Sequence, residues 1–270
     1  MDWLSQVEER LIHEFRRRGS ALIALSGGVD SSVVAALAFK ALGGRAVAVT
    51  FSSPLNPPRL LEEAAEVARE VGIEHLVLEV DELTLPSVAG NLPERCYECK
   101  RLRFSAALRL ADELGLACVA EGSNLDDASH YRPGLRALRE LGVWSPLLEA
   151  GLRRGWVVEL ARRMKLSTAD KPPESCLATR FPYGRGLSLE GLRRVAAAEE
   201  LVRELCGVRL VRARDHGGLV RLEVGADEAF KVLERHLELA SRLKELGYAY
   251  VALDLEGYRQ GSWDAVRKAF

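Results

Sequence analysis

The sequence predicts an α/β protein with a doubly wound parallel sheet, followed by a second, smaller α+β domain. Two observations carry this. Over residues 2–150 short apolar runs alternate with stretches whose apolar residues recur at helical spacing, the pattern of successive βαβ units. Beyond a connector rich in Pro and Gly the order changes to helix, strand, strand, helix, strand. With 270 residues, 48% hydrophobic and 29% charged, the chain has room for two modest domains and the composition to bury a core in each.

The runs Ala21 to Leu25, Ala46 to Phe51, Leu76 to Val80 and Ala117 to Ala120 read as buried parallel strands. Between them Ser31 to Leu42, Pro57 to Val71 and Cys96 to Leu114 carry helical periodicity and end at or near Gly43, Gly72 and Gly115, residues suited to a helix C-terminus. The segment KLSTADKPPESCLATRFPYGRGL, residues 165–187, holds three prolines and two glycines and reads as a structured connector. After it come a helix from Leu189 to Leu205, alternating runs Val208 to Arg214 and Leu219 to Val224, a helix to Leu246 and a strand Ala249 to Leu253. The expected organisation is therefore a doubly wound α/β domain over 1–165, a connector over 166–187 and an α+β domain over 188–270, with the connector at a domain junction, a common place for an active site.

A formal net charge of -1 gives the whole chain no general attraction to nucleic acid or to anionic membrane. The N-terminus has no apolar stretch behind a basic start, and nowhere do 18 uncharged apolar residues run together, so a soluble cytoplasmic protein is expected. Five cysteines, at 96, 99, 118, 176 and 206, form an odd set that argues against a disulfide framework and leaves metal or sulfur chemistry open. Cys118 and Cys206 lie in apolar surroundings and read as core residues.

The string LIALSGGVDSS, residues 22–32, sets Ser26, Gly27, Gly28, Asp30, Ser31 and Ser32 between a buried strand and an Ala-rich helix. Two glycines allow a sharp turn with exposed N–H groups, and the helix N-terminus behind them adds partial positive charge, which together suit a phosphate chain. The serines offer further donors, and Asp30 suits either a helix cap or a magnesium ion held through water. The Lys of a Walker A loop is missing, so hydrolysis of the terminal phosphate is not the chemistry indicated. In EGSNLDD, residues 121–127, Gly122 permits close backbone approach, while Asp126 and Asp127 fit either a turn or a magnesium site.

Cys96 and Cys99 in RCYECK share one face of the opening turn of a helix, a spacing that suits zinc pairs, redox dithiols and chance alike; His130 is a conceivable further zinc ligand, without support from spacing. Cys176 lies in an irregular, polar, Pro-rich loop flanked by Lys171 and Arg180, cations that favour a thiolate at a cleft. Arg212 and Arg214 alternate on one strand face and fit either a clamp for phosphate or carboxylate groups or a plain amphipathic strand.

SGGVDSS resembles the SGGxDS pyrophosphate-binding loop of the PP-loop ATP pyrophosphatases, a likeness that covers roughly residues 20–130 and includes EGSNLDD. That superfamily cleaves ATP between the α and β phosphates to adenylate an oxygen, which nitrogen or sulfur then replaces. With CLATRFPYG, GSNLDDASHYRPG, LGVWSPLLEAGL, RARDHGGLVRLEV and DLEGYRQGS in order, nearly the whole chain resembles the LarE family of ATP-dependent sulfur transferases, which serve synthesis of the nickel-pincer nucleotide of lactate racemase. The resemblance implies ATP and Mg2+ as cofactors, with ATP contacts from Ser26, Gly27, Gly28, Asp30, Ser31, Ser32, Phe51, Gly122 and Asp127. It implies pyridinium-3,5-biscarboxylic acid mononucleotide as a small-molecule substrate, contacted by Arg180, Glu200, Arg212 and Arg214, and a divalent cation at Glu223. Some members sacrifice one cysteine, at the position of Cys176, as the sulfur source; others hold a [4Fe-4S] cluster on three, and Cys96, Cys99 and Cys176 match that type. A sulfide donor and a homo-oligomer are further implied partners, with no nucleic acid or membrane.

Three other functions compete. A tRNA thiolation enzyme with the same loop and cluster should carry a basic RNA-binding module or zinc-finger pairs, which this near-neutral chain lacks. An amide ligase of the NAD synthetase kind would leave Cys96, Cys99 and Cys176 without a task. A non-catalytic nucleotide-binding scaffold would bind ATP without releasing pyrophosphate.

Overall fold

The computed structural model describes residues 2–128 and 133–259. Within them, 2–53, 58–82 and 94–173 cluster into one compact unit, and 54–57, 83–93 and 174–259 into a second.

The first unit is built on four parallel strands, β1 (Ala21–Ala24), β2 (Ala46–Ser52), β3 (Glu74–Glu79) and β4 (Val119–Ala120), in the order β3-β2-β1-β4. Alternation along β1 and β2 divides their side chains between the two faces. Ala21, Ile23, Ala46 and Ala48 pack with α1 (Trp3–Arg18), α2 (Val29–Leu42), α3 (Leu60–Val71) and the Arg154–Arg163 helix. Leu22, Val47, Val49 and Phe51 pack beneath the Arg95–Glu113 and Pro133–Glu140 helices. Helices on both faces make the sheet doubly wound, as its uninterrupted apolar runs require. At the edge, β3 begins and ends on exposed glutamates, keeps His75, Leu76 and Leu78 half-buried and leaves Val77 54% exposed.

Several details depart from the sequence expectation, among them the helix expected to run to Leu246, which is broken at Arg235 into Ala229–Glu234 and His236–Glu245, and the expected connector, whose residues 166–173 cluster with the first unit. α3 starts at Leu60 instead of Pro57, because Pro58 bars the helical conformation to the residue before it. β4 has only two residues, and the sheet is extended beside it by Trp144, whose N–H donates to the Val119 carbonyl and whose carbonyl accepts from Glu121 N–H.

The second unit carries a mixed sheet in which β5 (Val211–Asp215) pairs antiparallel with β6 (Leu219–Val224), and β6 pairs parallel with β7 (Tyr250–Leu253). Val211, Ala213, Val220, Leu222 and Val224 meet the Leu189–Cys206 and His236–Glu245 helices to form its core. Ser188 starts the first of these helices, its hydroxyl accepting from Gly191 N–H, and Gly207 ends it in the left-handed conformation. The two earlier segments are bound into this unit by backbone contacts. Leu177 N–H donates to Leu55, Gly184 N–H to Asn91 and Leu187 N–H to Ala89, while the buried Asn91 amide donates to the carbonyls of Phe181 and Pro182.

Among the described residues no helix is long and apolar enough to cross a membrane.

Candidate functional site

The strand order puts β1 between β2 and β4, so the chain leaves β1 toward one side of the sheet and returns beyond it on the other. In open α/β sheets this switch in direction opens a crevice at the carboxyl ends of the strands, where ligands bind. Both glycine-bearing loops end there, 25–28 after β1 and 121–124 after β4. Gly27 takes φ +67°, and a β-carbon on it would lie 3.0 Å from Ala64 N. Gly122 approaches the start of α2 so closely that its β-carbon would sit 2.7 Å from Ser31 N. Gly122→Ala therefore has to push the 121–124 loop off the helix. We expect a loss of about 1–3 kcal/mol in stability, the usual cost of overpacking, together with weakened nucleotide binding, read by denaturant melts and by titration with ATP.

The first turn of α2 leaves its leading N–H groups without partners inside the helix, as phosphate binding requires. The serine hydroxyls mainly shape the loop. Ser31 Oγ bonds Ser26 N–H at 3.1 Å and donates to Gly28 O at 3.0 Å, and Ser32 Oγ donates to the same carbonyl at 2.9 Å. Ser31 and Ser32 are buried, whereas Ser26 is exposed.

Asp30 caps nothing, since Gly28 is the N-cap; its carboxylate accepts from Asn124 Nδ2 at 3.0 Å and from the Arg154 guanidinium at 2.9 Å. Burial pushes the Asp30 carboxyl above the usual range, opposed by Arg154 and the Asn124 hydrogen bond and reinforced by nearby Asp127. Asp127 accepts the Asn124 N–H at 3.1 Å, and Asp126 accepts Arg154 N–H at 2.9 Å, so both organise the loop. Phe51 lies in the core, edge-on to Phe104 at 5.6 Å. Neither Asn124, although inside the EGSNLDD string, nor Arg154, which lies outside every motif, was singled out from the sequence.

Cys96 and Cys99 occupy the opening turn of the Arg95–Glu113 helix, Cys96 exposed and Cys99 half-buried. Cys99 Sγ lies 3.8 Å from Glu82 Oε1. Glu82 is fully buried, bonded to Arg103 and, at 2.5 Å, to Ser53 Oγ. His130 lies outside the described residues, as do the last three residues of DLEGYRQGS. Among the described residues no three His, Cys, Asp or Glu side chains are gathered as a metal centre.

In the second unit Cys176 is half-buried and precedes the single 3-10 turn Leu177–Arg180. Arg180, 0% exposed, organises this loop. Its guanidinium meets both oxygens of Glu199, at 2.7 and 2.9 Å, and donates to Ser175 O, Ser175 Oγ, Cys176 O, Thr179 Oγ1 and Glu174. Of the adjacent glutamates, Glu199 points inward while Glu200 is exposed and pairs with Arg203. Burial acts to raise the Glu199 carboxyl, but Arg180, Arg212 and the Ala213 N–H outweigh it and hold it down at about 2.

The arginine pair on β5 faces away from the apolar core yet is buried, Arg212 at 2% and Arg214 at 4% exposure. Arg212 lies 3.4 Å from Glu174, and burial lowers its pKa below the usual arginine value. Arg214 donates to Thr179 O at 2.6 Å and to Glu223 at 2.6 Å; Glu223 also accepts from Arg221 at 3.0 Å. Lys171, which flanks Cys176 in the sequence, clusters with the first unit, its ammonium 2.7 Å from Gly27 O and 2.7 Å from Glu63. Cys118 and Cys206 sit in or against the cores as expected, and burial pushes both thiols up.

A family model described as NAD synthase matches residues 5–112, the span that holds the phosphate loop. The chain is 38% identical to the uncharacterized protein slr1717 of Synechocystis over 96% of its own length and 97% of that protein's. It is 33% identical to the pyridinium-3,5-bisthiocarboxylic acid mononucleotide synthase of Lactiplantibacillus plantarum, covering 92% of this chain and 90% of the synthase. A tRNA-specific 2-thiouridylase of Methylorubrum extorquens shares 30% identity over 82% of this chain but only 65% of its own length. End-to-end similarity to the synthase, with both glycine loops built at the switch point of the first sheet, shows that the chain belongs to the LarE family of PP-loop proteins.

Proposed function

We propose that the protein is an ATP-dependent sulfur transferase that adenylates the carboxylates of pyridinium-3,5-biscarboxylic acid mononucleotide and converts them to thiocarboxylates for the nickel-pincer cofactor of lactate racemase. The observation that carries this reading is the phosphate loop at the sheet's switch point, in a chain similar over nine-tenths of its length to a synthase named for the bisthiocarboxylic product.

A carboxylate resists attack by sulfide because oxide is a poor leaving group, and adenylation replaces oxide with AMP. In this reading the Gly27–Gly28 turn and the α2 N-terminus hold the departing pyrophosphate, Gly122 lets the 121–124 loop close on the nucleotide, and Asp30 with Asp127 holds Mg2+. What supports this is that the two carboxylates meet the same residue, Asp30 accepting from the Asn124 side chain at 3.0 Å and Asp127 from the Asn124 N–H at 3.1 Å. Arg212 and Arg214 take the substrate's phosphate or carboxylates by exchanging them for Glu174 and Glu223; Arg180 and Glu200 are further contacts, and Glu223 holds a divalent cation.

Cys96, Cys99 and Cys176 are thiols, the donor type an iron-sulfur cluster takes, and in this reading they hold [4Fe-4S]. When bound, the cluster supplies an open iron able to carry hydrosulfide. Sulfide donor, cytoplasmic location and homo-oligomeric assembly complete the proposal. The similarity to a 2-thiouridylase favours tRNA thiolation as the second reading, weighed against by the near-neutral charge.

With the pyridinium dicarboxylate nucleotide present, ATP should yield AMP and pyrophosphate, resolved by 31P NMR. Asp30→Ala should abolish turnover while leaving the far-UV CD spectrum unchanged. ADP and inorganic phosphate as products would sink the proposal, and turnover with tRNA in place of the nucleotide would favour the second reading.

A further inference from the structure

A triphosphate needs cations around it, and a Walker A loop supplies one from its own Lys. The SGGVDSS loop has none, and no Lys occurs between Lys40 and Lys100. The fold brings an ammonium to the loop from a distant part of the chain. Lys171 Nζ lies 2.7 Å from the carbonyl of Gly27, the first loop glycine, and 2.7 Å from Glu63 on α3.

We propose that Lys171 is the cationic ligand of the β and γ phosphates, filling the role for which the loop motif provides no residue. The inference rests on the ATP reading above and adds a residue to it.

Three features suit Lys171 to this task. An ammonium has three donors, and Gly27 and Glu63 engage two of them, so one N–H is left for a phosphate oxygen. Glu63 is shared with Arg59 at 3.7 Å, so Lys171 can turn toward a phosphate without stranding a lone carboxylate. The backbone is pinned as well. Pro172 follows directly and confines Lys171 to the extended region, where it sits at φ -71° and ψ 130°, and Pro173 stiffens the next residue. The side chain is 20% exposed, placed to reach a ligand yet not free in solvent. Arg154 is paired with Asp30 and Lys100 with Glu121 of the second glycine loop, whereas Lys171 is the amine hydrogen-bonded to the Gly27–Gly28 turn itself.

The test is isothermal titration of the full-length protein with two probes, magnesium pyrophosphate and AMP. Lys171→Met should weaken pyrophosphate binding about tenfold or more and AMP binding less than twofold, and Lys171→Arg should recover most of the loss. Glu63→Gln removes the other end of the ion pair and keeps the amine, so it should leave pyrophosphate affinity unchanged or tighter. A Lys171 that only braces α3 against the loop predicts something else. Lys171→Met and Glu63→Gln would then lower Tm alike, and pyrophosphate affinity in Lys171→Met would stay within twofold of wild type, which overturns the assignment. Failure of the wild-type protein to bind pyrophosphate at all would overturn the ATP reading itself, and Lys171 with it.

Discussion

Glu199→Ala should destabilise the second unit by about 3–5 kcal/mol, the cost of leaving a buried guanidinium without its counter-charge. Arg180 is fully buried, and Glu199 is the only carboxylate that engages it with both oxygens among the described residues. The same pair fixes a pH dependence. The Glu199 carboxyl is held down at about 2 against an ordinary value of 4.5, so the folded state binds its proton less readily than the unfolded state does. Its contribution is complete above the unfolded value of 4.5 and is lost as the pH falls from there toward 2. That window corresponds to a contribution on the order of 3 kcal/mol. Urea melts of wild type and Glu199→Gln between pH 7 and 3, with hydrogen exchange at the β5 and β6 amides, should show wild type losing stability on acidification and the variant following a flatter line. A variant within 1 kcal/mol of wild type, with an unchanged acid limb, would show that Arg180 is satisfied by Glu174 and the loop carbonyls alone.

Replacing Cys176 should abolish sulfur transfer outright, and its fate in the wild-type enzyme decides the source of sulfur. On the cluster reading Cys96→Ser, Cys99→Ser and Cys176→Ser each lose the cluster, because two thiolates rarely hold [4Fe-4S]. Anaerobic iron and sulfide analysis should then fall to background in each variant. The wild-type enzyme should turn over repeatedly on supplied sulfide and keep an intact Cys176. A sacrificial cysteine instead gives at most one sulfur per chain and a mass loss of roughly 34 Da, as hydrogen sulfide leaves and dehydroalanine remains. Dehydroalanine at 176, with full activity in the Cys96→Ser, Cys99→Ser double variant, would replace the cluster mechanism by self-consumption.

Strands and helices were legible wherever period and punctuation agreed. The expected β1 differs from the observed strand by a single residue and the run Leu219 to Val224 coincides with β6, because alternation and flanking turn residues signal the same element there, whereas the run Val208 to Arg214 starts three residues before β5. The expectation of a strand at 117–120 was too long because strand pairing is not local: β4 pairs with β1 only at Val119 and Ala120, and the bridge on its other side comes from Trp144. Of the candidate site residues, the two glycine loops stood out because a close approach excludes any side chain there.

Partnership was illegible where it depends on rotation or long range. Glu199 and Glu200 are adjacent, and about 100° of helical rotation separates the carboxylate that grips Arg180 from the one in water. Arg212 and Arg214 fitted either a clamp for phosphate or carboxylate groups or a plain amphipathic strand, and nothing local reveals that Glu174, Thr179 and Glu223 cover them. Sequence proximity linked Lys171 only to Cys176, and nothing local reveals that its ammonium reaches 144 residues back to Gly27.

The segments 54–57 and 83–93 have a consequence in time. They belong to the second unit but are synthesised long before the residues 177–187 whose backbone they bind. At about 5–20 residues per second, a ribosome takes several seconds or more to travel from Asn91 to Pro182. Through that interval the nascent first unit can assemble its sheet while these two loops await the far end of their pairing. The second unit is thus the last to complete, and a gene fragment starting at 174 would encode its strands and helices without the two pieces that anchor the Cys176 loop.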